Sequence, residues 1–403
     1  MQLQTCLIVS AALLVGVAYY VYYPFPADAD QPWKQMMSMV PIRTINHVCH
    51  FGERVGYSSS ALCRRWFSLF LMSKQELSDE DLEVTDTLFG GVKVRLYIPK
   101  ESNPEHTGLV YIHGGGWYLG NVNIYDKKTR DFARSLKAVV VSIDYRLAPE
   151  HPFPVPLEDC LAATKHFLGN AKKYGVNPRR IGIGGDSAGG NLAMAVALKL
   201  AKEGETGEPT LPPLRSLSLV YPALQIVDFN LPSYVDYTGG PFLLNKQLMV
   251  SAWLTYAFGN ENHLTDFFNN RHMSPESRLN LRRFVNSSLL PGEYIDRKVK
   301  DSSSFNKHLA EEVGDTLSNQ FLSPLLSSDE DLRKLPKMLL FTCQYDPLLS
   351  DGIILVKRLQ NLGNPVVYQH FTGVQHGFFS SRFVMTKGKQ ALTAYKEFLK
   401  KEL

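Results

Sequence analysis

The sequence lacks strong charge asymmetry, because 43 Lys and Arg residues against 39 Asp and Glu leave a net charge of +4 over 403 residues. No run of Lys and Arg exceeds two or three residues, so nothing predicts a nucleic-acid partner. Internal repeats and low-complexity tracts are also absent. With 44% hydrophobic and 20% charged residues, the composition is that of an ordinary globular protein with one large domain or two smaller ones.

Cysteine is scarce, with five residues in the whole chain. Cys6 lies in an apolar N-terminal segment, and the other four allow at most two disulfides, whose pairing stays open. These four are Cys49, Cys63, Cys160 and Cys343. Residues 47–50, His-Val-Cys-His, form the only local cluster of metal-type ligands, and no second group with matching spacing accompanies them. The sequence therefore predicts no metal site.

Charged side chains are absent from the first 27 residues. Thr5–Tyr23 is predominantly apolar over 19 residues, close to the length that spans a bilayer. Four tyrosines at its C-terminal end stand where an interfacial aromatic belt would lie, and Pro24 and Pro26 then end the helix. We predict a transmembrane signal-anchor over 5–23, preceded by a short cytosolic N-terminus over 1–4.

Two other interpretations of this segment stay open. A cleaved signal peptide would have a basic N-terminal region, a shorter apolar core and a small-residue cleavage site. Here no Lys or Arg precedes the segment, and it ends in Tyr-Tyr-Pro-Phe. A buried core helix is the second alternative. The positive-inside rule does not set the orientation, because the short N-terminus carries no Lys or Arg.

The next region, residues 24–82, is predicted to be helical. Its apolar stretch Ala61–Met72 contains a basic pair and could lie on a membrane surface, although packing in a core is the commoner fate. From residue 83 the pattern changes to strands. Glu83–Phe89 and Val92–Ile98 alternate apolar and polar residues around Gly90-Gly91, which predicts a hairpin.

Continuous apolar runs follow, and such runs indicate strands that are covered on both faces, as in a parallel sheet. The predicted strands are Leu109–Ile112, Ala138–Ile143, Ile181–Ile183, Leu217–Val220, Met338–Phe341 and Val366–Phe371. Helical patterns lie between them at Leu157–Leu168, Ala188–Lys202 and Gly352–Leu362. The alternation predicts an α/β fold, interrupted over about 226–322 by an aromatic-rich helical insertion.

A glycine cluster surrounds one serine, since residues 180–191 read R-I-G-I-G-G-D-S-A-G-G-N. A Walker loop fails because Gly190 and Asn191 stand where Lys and Ser or Thr are required. A dinucleotide fingerprint fails at Ser187, where a third glycine is required. Residues 185–189 instead match G-x-S-x-G between a short strand and a helix, which is the context of a nucleophile elbow.

The elbow needs glycine because side chains two positions either side of the serine would clash and because the backbone is strained. The serine Oγ then stands above the sheet, beside free N–H groups of the helix N-terminus. We predict that Ser187 is a nucleophile. An ordinary strand-to-helix turn can carry the same short motif, so the prediction depends on partners elsewhere in the chain.

A serine nucleophile needs a base and a group that orients the base. His376 follows a late strand within G-V-Q-H-G-F-F and is the predicted base, while its nearest rival, His370, lies inside that strand. Asp346 follows the preceding strand within Y-D-P-L and is the predicted orienting acid. Asp351 is the alternative, although it suits the start of the following helix better.

Donors for the oxyanion are predicted in His113-Gly114-Gly115-Gly116, directly after a strand. Successive glycines let backbone N–H groups converge without side chains in the way. We place Gly114, Gly115, Gly116 and Ala188 in the oxyanion hole. The amides of Gly115, Gly116 and Ala188 are the favoured donors, and Gly114 shapes the turn. His113 lies inside the loop and suits a structural role.

Five motifs in this order resemble the hormone-sensitive-lipase group of α/β-hydrolases. They are H-G-G-G at 113–116, D-Y-R-L-A-P-E at 144–150, G-D-S-A-G-G at 185–190, Y-D-P-L at 345–348 and H-G-F at 376–378. The resemblance runs from about Glu83 to the C-terminus. Together with the apolar N-terminus, the insertion and Val285–Pro291, it makes the whole chain similar to the arylacetamide deacetylase family, which includes neutral cholesterol ester hydrolases.

The resemblance implies an α/β-hydrolase domain over 83–403, with a mostly parallel central sheet and helices on both faces. Residues 24–82 and the insertion at about 226–322 would form a mainly helical cap. It implies a Ser187–His376–Asp346 triad without metal or cofactor, and a structural role for Asp144. It also implies a single-pass type II anchor with the catalytic body in the endoplasmic-reticulum lumen.

Two further features agree with a luminal body. Asn286-Ser-Ser is the only N-x-[ST] sequon without proline, and glycosylation there would require luminal exposure. Lys400-Lys-Glu-Leu403 is similar to a K-D-E-L retention tail, with a lysine-rich helix end as the alternative interpretation.

We therefore expect a membrane-anchored serine hydrolase of carboxylic esters and arylacetamides of lipophilic small molecules, with acylglycerols as a further substrate class. A neutral cholesteryl ester hydrolase is the alternative. A non-catalytic protein that binds a lipophilic ligand on the same fold is a third hypothesis.

Overall fold

The computed structural model describes residues 2–57, 59–71, 77–101, 105–204, 211–292, 304–380 and 385–403. Three helices precede the sheet: α1 (Gln2–Val21), α2 (Pro32–Arg54) and α3 (Ser60–Leu71). Within the described ranges, no helix combines the length and apolar character needed to cross a bilayer. Met72, the last residue of the predicted apolar stretch, lies outside these ranges.

One eight-stranded sheet forms the centre of the described protein. Its strands are β1 (Leu82–Phe89), β2 (Val92–Pro99), β3 (His106–Ile112), β4 (Val139–Ile143), β5 (Val176–Asp186), β6 (Ser216–Val220), β7 (Lys337–Tyr345) and β8 (Val366–Gln375). The strand order is β1-β2-β4-β3-β5-β6-β7-β8. β2 pairs antiparallel with β1 and β4, and the remaining pairs are parallel. The predicted mostly parallel sheet is confirmed.

Each predicted strand is present, and several are longer than their apolar runs. β5 begins at Val176, five residues before the apolar run at Ile181. The hydropathy pattern did not predict this earlier start, because the residues between the two positions are polar. Gly90 and Gly91 have φ of +56° and +84°, which a two-residue hairpin turn requires. The sequence pattern therefore located the strands but not all of their ends.

Helices cover both faces of the sheet. On one face lie α4 (Val122–Leu136) and α14 (Thr386–Glu402). Phe132 of α4 packs against Tyr111 of β3, and Tyr395 of α14 packs against Phe132. On the other face lie α5 (Val155–Asn170), α6 (Ala188–Glu203) and α13 (Leu349–Asn361). Their buried side chains belong to the same hydrophobic core as Val110 of β3. Successive residues of β3 thus serve opposite cores, since strand side chains alternate. This is why the central strands have continuous apolar runs.

Where the structure describes it, the stretch between β6 and β7 is mainly helical, as expected. It contains α7 (Pro232–Asp236), α8 (Lys246–Phe258), α9 (Leu264–Phe268), α10 (Pro275–Leu281) and α11 (Lys307–Leu317), and α12 (Asp329–Arg333) precedes β7. Trp253 and Tyr256 of α8 pack on Trp117. The ring centroid of Trp117 lies 4.4 Å from that of Trp253 and 4.5 Å from that of Tyr256. Because Trp117 follows the glycine loop, the insertion packs directly on that loop.

The cysteine pairing that the sequence left open is decided by the fold. Cys49 of α2 and Cys63 of α3 form a disulfide, with their Cα atoms 5.4 Å apart. Cys160 and Cys343 are free and buried. Since Cys49 is bonded to Cys63, it has no thiolate for a metal, which removes the His-Val-Cys-His cluster as a candidate.

The last residues are held by the body of the protein. Arg215 Nε donates to the Glu402 carbonyl at 3.0 Å, and Lys337 Nζ lies 2.6 Å from Glu402 Oε1. Arg180 donates to a Leu403 oxygen, and Leu403 is buried. A retention tail is read by a receptor and must be accessible. The packing buries Glu402 and Leu403 and leaves Lys400 and Lys401 exposed.

A buried ionic cluster joins α4 to the antiparallel part of the sheet. Asp126 accepts hydrogen bonds from Arg95 at 3.1 Å, Tyr97 at 2.9 Å and Arg130 at 2.6 Å. Arg130 also bonds Asp79 at 2.7 Å. Asp126 is almost completely buried, so removing its carboxylate would take one partner from each of two buried cations, of which Arg95 keeps Asp86 and Arg130 keeps Asp79.

We expect Asp126→Ala to lower the free energy of unfolding by about 3–5 kcal/mol, because it removes a carboxylate from a buried ion cluster and leaves the cations in place. Denaturant unfolding of the full chain in detergent measures this. Glu101→Gln is the matched control, since Glu101 pairs with Lys137 on the surface and both side chains are about 60% exposed or more. The control should change stability by less than about 1 kcal/mol. Equal effects of the two substitutions would contradict the assignment.

Candidate active site

Ser187 stands alone between the end of β5 and the first residue of α6. Its backbone angles, φ of +58° and ψ of −122°, lie in a region that residues other than glycine rarely adopt. A Cβ on Gly185 would lie 2.4 Å from the Gly189 carbonyl oxygen, and one on Gly189 would lie 2.2 Å from the Ile112 carbonyl oxygen. Both glycines are therefore required by close backbone approach, as the motif predicted.

The fold brings Ser187, His376 and Asp346 together from three separate loops. His376 Nε2 lies 2.9 Å from Ser187 Oγ, and His376 Nδ1 lies 2.7 Å from Asp346 Oδ2. The second carboxylate oxygen of Asp346 accepts the Leu348 N–H at 2.9 Å. His376 and Asp346 are buried, whereas Ser187 is half-buried. The imidazole is thus held between a carboxylate and a serine hydroxyl.

The rival residues lie elsewhere. His370 stays within β8 and bonds Thr342 Oγ1 at 2.9 Å. His113 is buried and stacks on Tyr145, with centroids 4.3 Å apart. Burial lowers the pKa of His113, so it is a neutral structural residue. Asp144 accepts the Val122 N–H near the start of α4 at 3.4 Å, in keeping with its expected structural role.

Asp351, the alternative acid, lies in the first turn of α13, as expected. It accepts hydrogen bonds from Gln225 Nε2 at 3.1 Å and Tyr234 Oη at 3.0 Å, not from the histidine. Burial raises the pKa of Asp351 to about 8. At neutral pH this carboxyl is therefore mostly protonated, which does not suit the orientation of an imidazolium.

The H-G-G-G loop passes beside the elbow, since a Cβ on Gly114 would lie 2.6 Å from the Asp186 carbonyl oxygen. Gly115 and Gly116 have φ of +121° and +59°, and a Cβ on Gly115 would lie 2.3 Å from the Leu119 carbonyl oxygen. In the described part of the chain, the amides of Gly115, Gly116 and Ala188 donate to no protein acceptor. Gly114 differs, because its N–H donates to Tyr125 Oη at 3.0 Å. Gly114 therefore shapes the loop and is not a free donor.

Asp186, which precedes the serine, was missed by the sequence reasoning. It accepts hydrogen bonds from Tyr111 at 2.6 Å and Tyr125 at 2.9 Å, and Lys128 Nζ lies 3.5 Å away. Since Tyr125 also accepts the Gly114 N–H, the residue before the serine is connected to the glycine loop. Burial raises the pKa of both tyrosines well above the ordinary value, so they remain donors. The sequence feature that could have identified Asp186 is its charge at the end of a buried strand.

The segment after α1 was also missed. Asp28 accepts hydrogen bonds from Tyr345 and Gln344, both at 2.7 Å, and these bonds lower the pKa of Asp28. Gly373 O accepts the Asp30 N–H at 2.7 Å and Gln35 Nε2 at 2.8 Å. Tyr345 precedes Asp346, and Gly373 lies three residues before His376. The N-terminal region thus braces both loops that hold the histidine–carboxylate pair.

Comparisons with known proteins show the family to which this fold belongs. A family model described as the α/β-hydrolase fold matches residues 109–284 and 286–380, more than half of the chain. Arylacetamide deacetylase of Bos taurus is 40% identical over 401 residues, covering 97% of this chain and 98% of the relative. Neutral cholesterol ester hydrolase 1 of Bos taurus is 36% identical over 384 residues, covering 93% and 92%.

A solved structure gives the same result. The thermostable carboxylesterase EstE1, cloned from a metagenomic library, is 26% identical, with a TM-score of 0.63 over 86% of this chain and 98% of that chain. The fold and its relatives define a carboxylic ester hydrolase of the α/β-hydrolase class. Within that class, the chain belongs to the arylacetamide deacetylase family.

Because the pKa of Asp351 is raised in the fold, we expect the stability of the protein to depend on pH. Its pKa rises from 3.8 in the ordinary state to about 8 in the fold, so between these values the folded state holds a proton that the unfolded state has lost. The contribution to stability is fully present below about pH 4 and is lost as the pH rises towards 8. Asp351→Asn cannot ionise, so its melting temperature should fall less between pH 5 and pH 8 than that of the wild type.

Thermal unfolding across this pH range tests the prediction. Asp315→Asn is the control, because Asp315 is exposed on α11, and its melting curve should follow the wild-type pH dependence. If Asp351→Asn showed the same pH slope as the wild type, Asp351 would be ionised in the folded protein and the assignment would be wrong.

Proposed function

We propose that Ser187, His376 and Asp346 are the catalytic triad of a membrane-anchored esterase and amidase that acts on lipophilic substrates. The observation that carries the proposal is the position of the His376 imidazole, 2.9 Å from Ser187 Oγ and 2.7 Å from Asp346 Oδ2. These are hydrogen-bond distances. At them, His376 can accept the proton of the serine hydroxyl, and the Asp346 carboxylate can stabilise the resulting imidazolium.

The reaction proceeds in two halves. Ser187 Oγ attacks the substrate carbonyl carbon while His376 Nε2 takes the hydroxyl proton, and the same proton then goes to the leaving alcohol or amine. A water next attacks the acyl-enzyme and His376 accepts its proton. His376 then gives this proton to Ser187 Oγ as the bond to the acyl carbon breaks and the acid product departs. Asp346 accepts the Nδ1–H bond throughout and stabilises the imidazolium.

The tetrahedral oxyanion is held by the amides of Gly115, Gly116 and Ala188. Support comes from the glycine conformations of the loop and from the lack of protein acceptors for these three amides in the described part of the chain. Loss of one such donor typically costs roughly 10²–10³ in rate. Gly114 contributes by bonding Tyr125, which fixes the loop beside Asp186.

Apolar side chains next to both reacting loops support a lipophilic substrate. An ideal Cβ on Gly116 would meet the Tyr118 ring at 2.9 Å and the Ala252 Cβ at 3.3 Å. One on Gly377, beside the histidine, would meet Leu243 Cδ2 at 2.7 Å. The relatives are named for arylacetamides and cholesterol esters, so we place aryl acetates and arylacetamides first, and acylglycerols and sterol esters second.

We also propose that residues 5–23 anchor the enzyme, with 1–4 cytosolic and the body in the lumen of the endoplasmic reticulum. In this arrangement residues 24–82 and about 226–322 cap the catalytic domain over 83–403. Support for the anchor comes from the uncharged sequence and from Leu14, Val15 and Val17, which are exposed on α1. The Cys49–Cys63 disulfide supports an oxidising compartment.

Asn286 supports the luminal orientation as a glycosylation acceptor. It is half-buried at the start of a 3₁₀ turn, Ser287–Leu289, and its Oδ1 accepts the Ser288 N–H at 3.0 Å. This contact uses the side-chain oxygen, so the amide nitrogen that would carry the glycan does not take part in it.

The catalytic role of Ser187 is tested with membranes that carry the wild type or Ser187→Ala. We expect the variant to lose at least about 10⁴-fold in kcat, because the nucleophile is gone. The panel is an aryl acetate, an aryl acetamide, a diacylglycerol and a cholesteryl ester, and the relative rates of the wild type rank the substrate classes.

Ser318→Ala is the control for expression and folding, since Ser318 is exposed at the end of α11. It should keep wild-type rates on every substrate. Equal turnover by the wild type and Ser187→Ala would show that Ser187 is not the nucleophile. No turnover of any substrate by the wild type would favour the hypothesis of a ligand-binding protein on the same fold.

Glycosylation at Asn286 has its own test, in cells that secrete and glycosylate proteins. Asn286→Gln and Ser288→Ala both destroy the sequon and should each remove the glycosidase-sensitive shift in gel mobility. Ser287→Ala is the matched control because it keeps the sequon and should keep the shift. A wild-type protein without a shift would contradict glycosylation and remove this support for a luminal body.

A further inference from the structure

We propose that the outward face of α2 lies in the surface of a lipid bilayer, beside α1, and that the enzyme takes ester substrates directly from that bilayer. The inference rests on the proposed function, since it assumes an anchored enzyme that hydrolyses lipophilic esters. It assigns to α2 a contact that the anchor alone does not require.

Large apolar side chains form a single stripe along the exposed side of α2. They are Trp33, Met37, Val48 and Phe51 within the helix and Val55 directly after it, and each is between 48% and 67% exposed. At 3.6 residues per turn, their spacing places all five within about 60° of one another around the helix axis. The five side chains therefore share one side of the helix, in two groups at residues 33–37 and 48–55, with Thr44 between them.

The opposite side of α2 contacts the protein. Gln35, Met39 and Cys49 are buried there, and the same spacing places them about 160–240° from Trp33. A helix on a water-exposed surface has its polar side outward, whereas α2 has apolar residues on both its inward and its outward side. An exposed apolar face that includes a tryptophan suits a membrane interface.

Continuity with α1 identifies the bilayer as the occupant of this face. Tyr20 Oη, near the end of α1, hydrogen-bonds Thr44 Oγ1 at 3.2 Å. Thr44 is exposed and, by its spacing, lies in the middle of the apolar stripe. Arg43 donates to the Val21 carbonyl at 3.2 Å and lies over the Tyr23 ring. The end of α1 therefore meets the outward face of α2.

The exposed apolar residues of α1 and the stripe on α2 thus adjoin each other. An anchor that enters the bilayer at this point places the stripe at the bilayer surface. Tyr20, Tyr23 and Trp33 then stand at the depth of the headgroups, where aromatic residues are enriched. Lys34 lies 5.7 Å from the Trp33 ring, and a lysine beside such a residue can extend towards lipid phosphates.

A cavity of about 420 Å³ lies along the side of α2 next to the stripe. Arg43, His47 and His50 of α2 line one wall, and Phe242 and Leu243 of the insertion line the other. Leu243 donates its N–H to Gln375 Oε1 at 2.6 Å, and Gln375 directly precedes the catalytic histidine. One wall of the cavity therefore contacts the loop that holds His376, although the triad itself does not line the cavity. We infer that an ester leaves the bilayer beside this wall.

The contact is tested by tryptophan fluorescence, because the chain has only four tryptophans. Trp117 and Trp253 are completely buried, whereas Trp33 and Trp66 are exposed. The full chain is reconstituted in phosphatidylcholine vesicles that carry bromine atoms on the acyl chains near the headgroups. Bromine quenches tryptophan by contact. We expect Trp33→Phe to remove quenching that the wild type shows, and the control Trp66→Phe to retain it.

Two outcomes of this measurement would overturn the proposal. Equal quenching of Trp33→Phe and the wild type, with Trp33 open to iodide in the water, would show that the face is solvated. Shielding of Trp33 from both iodide and bromine would show that a protein, such as a second copy of this chain, covers the face instead.

A second measurement separates this proposal from the proposed function. Phe51→Glu places a charge on the stripe, away from the triad, and Phe51→Leu is the matched control. Both variants should hydrolyse a water-soluble aryl acetate at the wild-type rate. Phe51→Glu should hydrolyse a long-chain aryl ester dissolved in the vesicles about tenfold more slowly, which corresponds to about 1.4 kcal/mol of lost membrane contact.

The two failures can be told apart. If the wild type hydrolyses neither ester, the proposed function fails, and the fluorescence result alone decides the bilayer contact. If the wild type hydrolyses both and Phe51→Glu loses neither rate, the enzyme stands and the direct transfer of substrate from the bilayer is wrong.

Discussion

The close backbone approach at the nucleophile elbow is the constraint on which the rest of the site depends. Position 189 lies so near the end of β3 that a Cβ there would be 2.2 Å from the Ile112 carbonyl oxygen. Only glycine allows this approach, and it brings the N-terminus of α6 beside the loop that follows β3. We propose that the amide of Ala188 and the amides of Gly115 and Gly116 form the oxyanion hole there, where two strand ends meet.

Buried charge and hydrogen bonds hold the loops around that point. Asp186 accepts two tyrosine hydroxyls, and Tyr125 passes the connection to the glycine loop through the Gly114 N–H. Lys128 lies near Asp186 and donates to Ser380, in the loop after the histidine, at 2.9 Å. A buried carboxylate with a cation and two donors is well compensated, so the network fixes the loops without leaving a charge unpaired.

The N-terminal region connects the proposed anchor to the candidate active site. Asp28 bonds the end of β7, while Asp30 and Gln35 bond Gly373 in β8. These contacts lie within a few residues of Asp346 and His376. The segment that leaves the proposed anchor therefore helps to hold the loops of the proposed triad, and the α2 face that we assign to the bilayer continues directly from it.

The sequence by itself determined the strands, the glycine elbow and the order of Ser187, Asp346 and His376, because each depends on local periodicity or on a short motif beside a strand end. Tertiary structure decided what depends on long-range proximity. It chose Asp346 over Asp351 by distance, joined Asp28 to Tyr345 across 317 positions, and buried a C-terminus that resembled a retention tail. Side-chain partners that are far apart in the chain have no local pattern, so only the folded arrangement could identify them.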